Sequence, residues 1–305
     1  MKGYIFTISA ACVYASQVIL GKYILTAGTG AWTLAFMQVV ISTLVMFVIG
    51  VSKAPEGLRA KYSVRRSDFK WFFWIAVLGG IGVQLALYYC LERVDAGIGS
   101  MLLFLHPVVI CIFFLISGVR KLTLINKLAL LVVLMGSLLV LNIFGESHTW
   151  TWTGIMFGVI CFLCCAGFFL ILDLKLSQYP ISVIFFYDWG IAALIMLILN
   201  PMVIKDIIIL SPQMIALIII ISSVTTVLPS FLLAKGVMLI GSERATVIGT
   251  LELPITVLLA YLFLSEIMVP MQLLGIVLVV SAVAALSIEG SKSGPLERVK
   301  RSVTE

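Results

Sequence analysis

Ten separate stretches of this chain are each about 20 predominantly apolar residues long, the length that a helix needs to cross a hydrocarbon core about 30 Å thick. They run over 3–22, 31–51, 70–91, 95–117, 124–143, 152–173, 180–199, 212–235, 242–264 and 270–288. Short polar breaks such as TAGTG (26–30), ERVDAG (92–97), SQYP (177–180) and IGSER (240–244) separate them. The longest break, 52–70, is too short to be a soluble domain. With 62% hydrophobic and 11% charged residues, the chain has too few polar side chains to cover a soluble fold of 305 residues. The fold class is therefore an all-α polytopic membrane protein of ten transmembrane helices. Only Lys2 precedes the first stretch, and no small-residue cleavage site follows it, so that stretch is expected to stay as the first helix.

Charge placement gives the expected orientation. Of the 20 Lys and Arg residues, all but Lys22, Arg93 and Lys205 fall on the side of the membrane that ten crossings assign to both termini. The positive-inside rule makes that side cytoplasmic, which predicts a multi-pass protein of the cytoplasmic (inner or plasma) membrane with a basic cytoplasmic tail, 291–305. The net charge of +6 follows from topology and from contact with anionic headgroups; membrane lipids are expected partners and nucleic acid is not. Cys12, Cys90, Cys111, Cys161, Cys164 and Cys165 all lie in apolar stretches, where cysteine acts as a small hydrophobe. Cys161, Cys164 and Cys165 lack the second ligand group of a metal site, and no GxxxxGK[ST] sequence is present, so neither metal, nor other cofactor, nor direct ATP coupling is expected.

The chain also resembles itself. AWTLAFMQVVISTLVM (31–46) aligns with ISVIFFYDWGIAALIM (181–196) at an offset of 150, which matches Gln38 with Asp188. MLLFLHPVVICIFFL (101–115) aligns with IGTLELPITVLLAYL (248–262) at an offset of 147, which sets Pro107 opposite Pro254 and Leu105 opposite Glu252. Two five-helix halves are expected, 1–145 and 146–290. An odd number of spans per half forces the second to enter the membrane inverted, an arrangement that commonly places a binding site at mid-membrane between halves that rock.

The ten-span plan, Tyr14-Ala15-Ser16-Gln17 with Lys22 in the first helix, the paired Pro107 and Pro254, and Leu264-Ser265-Glu266 followed by Gln272-Leu273-Leu274-Gly275 resemble the EamA-type transporters of the drug/metabolite transporter superfamily. The resemblance covers nearly the whole chain. It departs from many relatives at Tyr14-Ala15, where they carry Trp-Gly, at Gln38, where Arg is frequent, and at Gly118-Val119-Arg120, where Glu would echo Glu266. The resemblance implies a secondary carrier, not an enzyme, for a small molecule such as an amino acid, an amine or a related compound. Its driving force would be protons or another coupling ion, exchange, or the substrate's own gradient.

Polar residues inside apolar stretches are the candidate site. A charge facing lipid costs roughly 2.5 to 3.5 kcal/mol, so such groups turn to the bundle interior. Glu252 and Asp188 stand near the middle of their stretches and are the leading contacts for a cationic group or a transported proton. His106, Gln38, Tyr14, Gln17 and Tyr187 are secondary candidates, each with a structural alternative in a helix-to-helix or helix-to-backbone hydrogen bond. Pro107 and Pro254 free the carbonyls of Leu103 and Thr250, which are then open to substrate or water, or are taken up within the protein. Tyr14, Trp32, Phe36, Tyr88, Tyr89, Tyr187 and Trp189 offer ring faces to a cation, while Trp71, Trp74, Trp150 and Trp152 fit the membrane-interface belts. The alternatives are a membrane-embedded enzyme, a channel, or a carrier for quaternary amines such as choline, for nucleosides or for drugs. No catalytic motif or repeated filter sequence favours the first two.

Overall fold

The computed structural model describes residues 2–52, 62–94, 99, 102–119, 124–140, 151–264 and 269–292. The Ser265-Glu266 motif, the Arg120-Lys121 pair, Trp150 and the tail beyond 292 lie outside the described residues. Among those described, every regular element is helical. The elements are α1 (Lys2–Thr26), α2 (Ala31–Ser52), α3 (Phe69–Leu91), α4 (His106–Ser117), α5 (Leu124–Val140), α6 (Trp152–Lys175), α7 (Ile181–Leu199), α8 (Pro212–Ile240), α9 (Ser242–Gly249), α10 (Glu252–Leu264) and α11 (Pro270–Lys292). The short helix Val203–Ile208 occupies part of the break expected at 200–206. By length and composition α1, α2, α3, α6, α7 and α8 can each cross a bilayer; the apolar runs in α4, α5 and α11 are shorter.

Helices start where local chemistry allows. Thr151 and Ser211 cap α6 and α8, their hydroxyls accepting from Gly154 N at 3.1 Å and Met214 N at 3.3 Å. The first turns of α2 and α9 are served from a distance: Ala31 N donates to Glu92 Oε1 (2.8 Å) and Ser242 N to Asp173 Oδ2 (2.9 Å). Lys22 Nζ donates to the Leu91 and Val94 carbonyls (2.5 and 3.0 Å), where α3 ends. Thr33 Oγ1 donates to Asp206 Oδ2 at 3.4 Å, so the sparse cations Lys22, Arg93 and Lys205 gather at one end of the bundle. At the opposite end Tyr62 packs between Phe47 and Phe186, and Lys70 and Lys175 both stand over Trp71. There the Tyr179 hydroxyl donates to Asp68 Oδ2 at 2.6 Å and holds that carboxyl below its ordinary pKa.

Packing between helices follows a reciprocal scheme. α1 lies against α8 and against the α9–α10 pair, while α6 lies against α3 and α4. α2 packs on α7 and α5 on α11. With the α9–α10 pair taken together, exchanging α1–α5 for α6–α11 in chain order leaves this set of partners unchanged.

Two irregularities obey the same exchange. α3 contains a wide π turn at Ala76–Val83 and α8 one at Ile221–Val227. The fourth apolar run is interrupted by a turn at Phe104–Leu105 and the ninth by one at Thr250–Leu251, so neither is the continuous helix expected over 95–117 and 242–264. Small residues make the π turn of α3 feasible. A Cβ on Gly80 would stand 2.5 Å from the Ala192 Cβ and 3.0 Å from the Asp188 carbonyl, so α7 approaches α3 through that missing side chain. In α8 the hydroxyls of Ser222, Thr225 and Thr226 donate to carbonyls four or five residues earlier, at 2.6 to 2.9 Å, which satisfies backbone that the widened turn loosens. Gly80→Ala is expected to destabilise the protein by about 1–3 kcal/mol through overpacking. Thermal unfolding in detergent checks this, and Ala192→Gly in the same chain should recover part of the loss.

Candidate functional site

A cavity of about 130 Å³ lies where α1, α3, α6, α7, α8 and the two interrupted runs meet. Five of the seven residues expected at a site line it: Glu252, Asp188, His106, Tyr14 and Gln17. Gln38 and Tyr187 do not. Tyr187 turns toward the end of the bundle, where its hydroxyl donates to the Tyr62 carbonyl at 2.8 Å and its ring packs on Phe72. Being one residue from Asp188 on a helix, it points about 100° away.

Each polar group is positioned differently. Asp188 is 1% exposed, and its Oδ1 accepts from Gly80 N at 2.9 Å within the π turn of α3. Gln38 stands at the same register in α2 as Asp188 in α7, each seven positions past the first residue of its helix. It is buried against the other π turn, its Nε2 donating to Thr226 Oγ1 while its Oε1 accepts from Tyr88 OH (2.6 Å). Thus the polar residue of each second helix clasps the π turn of the other half. Thr226 faces the cavity and Gln38 supports it from behind.

The turns before α4 and α10 place His106 and Glu252 at the first residue of a helix. The helix starts therefore pair His106 with Glu252, one position away from the Leu105–Glu252 pairing given by aligning the prolines. Their environments differ. His106 Nδ1 donates to the Leu103 carbonyl at 2.7 Å, and its ring stacks on Phe169 (5.4 Å between centroids). The Thr250 carbonyl accepts from Leu253 N at 3.1 Å. Of the two alternatives for the carbonyls that the prolines free, the one seen is uptake within the protein. Glu252 is 9% exposed, and its carboxyl has no hydrogen-bond donor among the described residues. Gln17 Oε1 is likewise buried without a partner among them.

The rest of the lining is apolar or neutral. Phe185 stacks on Trp189 (4.6 Å), and Phe168 meets Phe169 edge to face (5.2 Å). The Tyr14 hydroxyl pairs with Ser230 Oγ at 2.6 Å, joining α1 to α8 at the cavity wall. Of the other ring candidates, Trp189 lines the cavity, while Trp32, Phe36, Tyr88 and Tyr89 do not. Tyr89 stacks with Phe157 beneath Arg93, and Trp74 and Trp152 are exposed. Sequence reasoning did not single out Ser230, Thr226, Gly80 or the Phe168-Phe169 pair. The available signal was a cluster rich in small residues in the third apolar run of each half, GGIG (79–82) and SSVTT (222–226).

The sequence matches the EamA-like transporter family over residues 1–142 and again over 152–288. The chain belongs to that family. This EamA-like transporter is accordingly a membrane protein of the drug/metabolite transporter superfamily that handles a small-molecule substrate. Solved structures agree at the level of fold: one titled "Crystal structure of protein" superposes with a TM-score of 0.68 at 12% identity, over 96% of this chain and 99% of its own. Among curated proteins none matches the transporter.

His106→Leu should cost the transporter about 1–3 kcal/mol by leaving the buried Leu103 carbonyl unpaired, whereas His106→Asn, which restores a donor, should cost less. Melting temperatures of the purified variants distinguish the two.

Proposed function

We propose that this EamA-like transporter is a secondary active carrier that moves an amino acid, an amine or a related small metabolite across the cytoplasmic membrane by alternating access. The reading includes ten spans in two inverted halves, 1–145 and 146–290, with both termini and the tail 291–305 in the cytoplasm. Support for the inversion comes from the reciprocal packing, with its matched π turns and interrupted helices. Support for the orientation comes from the meeting of the Lys22, Arg93 and Lys205 regions at one end, the end that the positive-inside rule makes external.

The observation that carries the reading is Glu252: a buried residue whose carboxyl has no donor among the described residues, in a cavity walled by helices of both halves. Such a group is expensive to keep unless a ligand or a proton completes it. The interrupted backbone on either side allows α4 and α10 to shift without unwinding a whole helix. Asp188 and Gln38, already hydrogen-bonded across the halves, would then hold the pivot, and Glu252 would meet the cargo or exchange a proton with it.

A thermal-shift screen of amino acids, quaternary amines and nucleosides, followed by counterflow of each hit in proteoliposomes, tests the reading. Glu252→Gln should leave expression and folding intact, lower flux about tenfold or more by removing a charged contact, and flatten its pH dependence. Wild-type flux and pH response in that variant would remove Glu252 from the mechanism. Substrate turnover without movement across the vesicle would defeat the carrier reading.

A further inference from the structure

From the chemistry of the cavity wall we infer that the cargo is an amine with N–H donors and a compact apolar or aromatic body, without a carboxylate; the inference rests on the central cavity being the transport site.

Three of the polar side chains of the cavity-lining residues carry an acceptor without a donor among the described residues. Glu252 presents a carboxyl with no donor among the described residues, and Gln17 Oε1 is a buried acceptor in the same state. His106 commits its Nδ1–H to the Leu103 carbonyl, which leaves Nε2 as the acceptor of the neutral ring. The Glu252 carboxyl and the His106 ring, from residues that line one small cavity, suit a ligand that brings donors, and an ammonium group brings up to three together with a positive charge.

Charge points the same way. The lining holds two carboxyl side chains, Glu252 and Asp188, and among the described residues it holds neither Lys nor Arg. Lys22 and Lys235 lie on lining helices but are engaged elsewhere, Lys22 on the carbonyls at the end of α3 and Lys235 over the rings of Phe231 and Phe6 (4.5 and 5.2 Å). The undescribed residues that precede α4, Asp95 to Ile98, Ser100 and Met101, contain no basic side chain. A zwitterionic amino acid would therefore carry its carboxylate into a site with two acids and no cation, losing hydration without gaining an ion pair. An amine, an amino-acid amide or an ester avoids that cost. The body of the ligand would lie on Phe168, Phe169, Phe185 and Trp189, whose faces also attract a cation.

Four probes with one ring and graded charge give the test: phenethylamine, phenylalaninamide, phenylalanine and phenylacetate. Their binding to the purified full-length protein in nanodiscs is measured by calorimetry, and each is then followed by counterflow in proteoliposomes. Phenethylamine and phenylalaninamide should bind, phenylalanine at least about tenfold more weakly, and phenylacetate not at all. Glu252→Gln, with its melting temperature checked, should weaken phenethylamine by at least about tenfold. Phenylalanine binding as tightly as its amide, binding of phenylacetate, or absence of phenethylamine binding would each overturn the inference, the wild-type series being decisive even if the variant fails to fold. Saturable flux of phenylalanine without preference for the amines would remove the amine assignment and leave the carrier standing. Amine binding without flux of any probe would do the reverse.

Discussion

A backbone amide that leaves its helical ladder inside a bilayer has no water to turn to, and the hydrogen bond from Gly80 N to Asp188 is where this protein meets that constraint. The π turn of α3 widens the helix and brings α7 close, and the carboxyl of α7 takes up the amide. Its counterpart, Gln38 on Thr226, secures the π turn of α8 from α2. Both contacts join the two halves of the chain, so the irregular backbone needed to shape a cavity is stabilised by the interface that encloses it. A buried carboxyl is a costly way to satisfy one amide. It is tolerable here because Asp188 also reaches the cavity wall, where water or a ligand can serve its other oxygen.

The long elements were legible because the bilayer imposes its thickness on sequence. Runs of about 20 apolar residues leave little choice of structure, and α2 and α7 begin at the same repeat offset that aligns their sequences. The irregularities were harder to see. A π turn inserts one residue into a ladder, and it can be detected by periodicity only where one helix face differs from the other; in α3 and α8 nearly every position is apolar or small. The prolines did mark the interrupted helices, but their position set the repeat register one residue away from the register of the helix starts. Helix boundaries respond to capping and turn geometry as well as to proline, which explains the difference.

The site was legible in part for a related reason. An acid in an apolar run has to face inward, so Glu252 and Asp188 were detectable without knowledge of any partner. Helix phase was not available to the same degree, and Tyr187, adjacent to Asp188, turned out to serve the end of the bundle. Gln38 faces inward as an acid would, yet it lies behind Thr226, because a hydroxyl on the neighbouring helix intervenes. Serine, threonine and glycine carry little sequence signal in a membrane helix, since they serve packing, backbone satisfaction and ligand contact alike.

The two interrupted helices show how a near-symmetric scaffold becomes asymmetric at its cavity. His106 and Glu252 occupy the same place at the start of their helices, each near a proline and a displaced carbonyl. Histidine can donate as well as accept, and its Nδ1–H closes the gap left at Leu103. In the second half the Thr250 carbonyl is met by the backbone amide of Leu253 instead, so the repair there draws on no side chain. Among the described residues the Glu252 carboxyl is left uncommitted. One half thus spends its polar residue on the integrity of its own backbone and the other presents its residue to the cavity, so a single exchange of side-chain chemistry at equivalent positions separates a structural group from one available to a ligand.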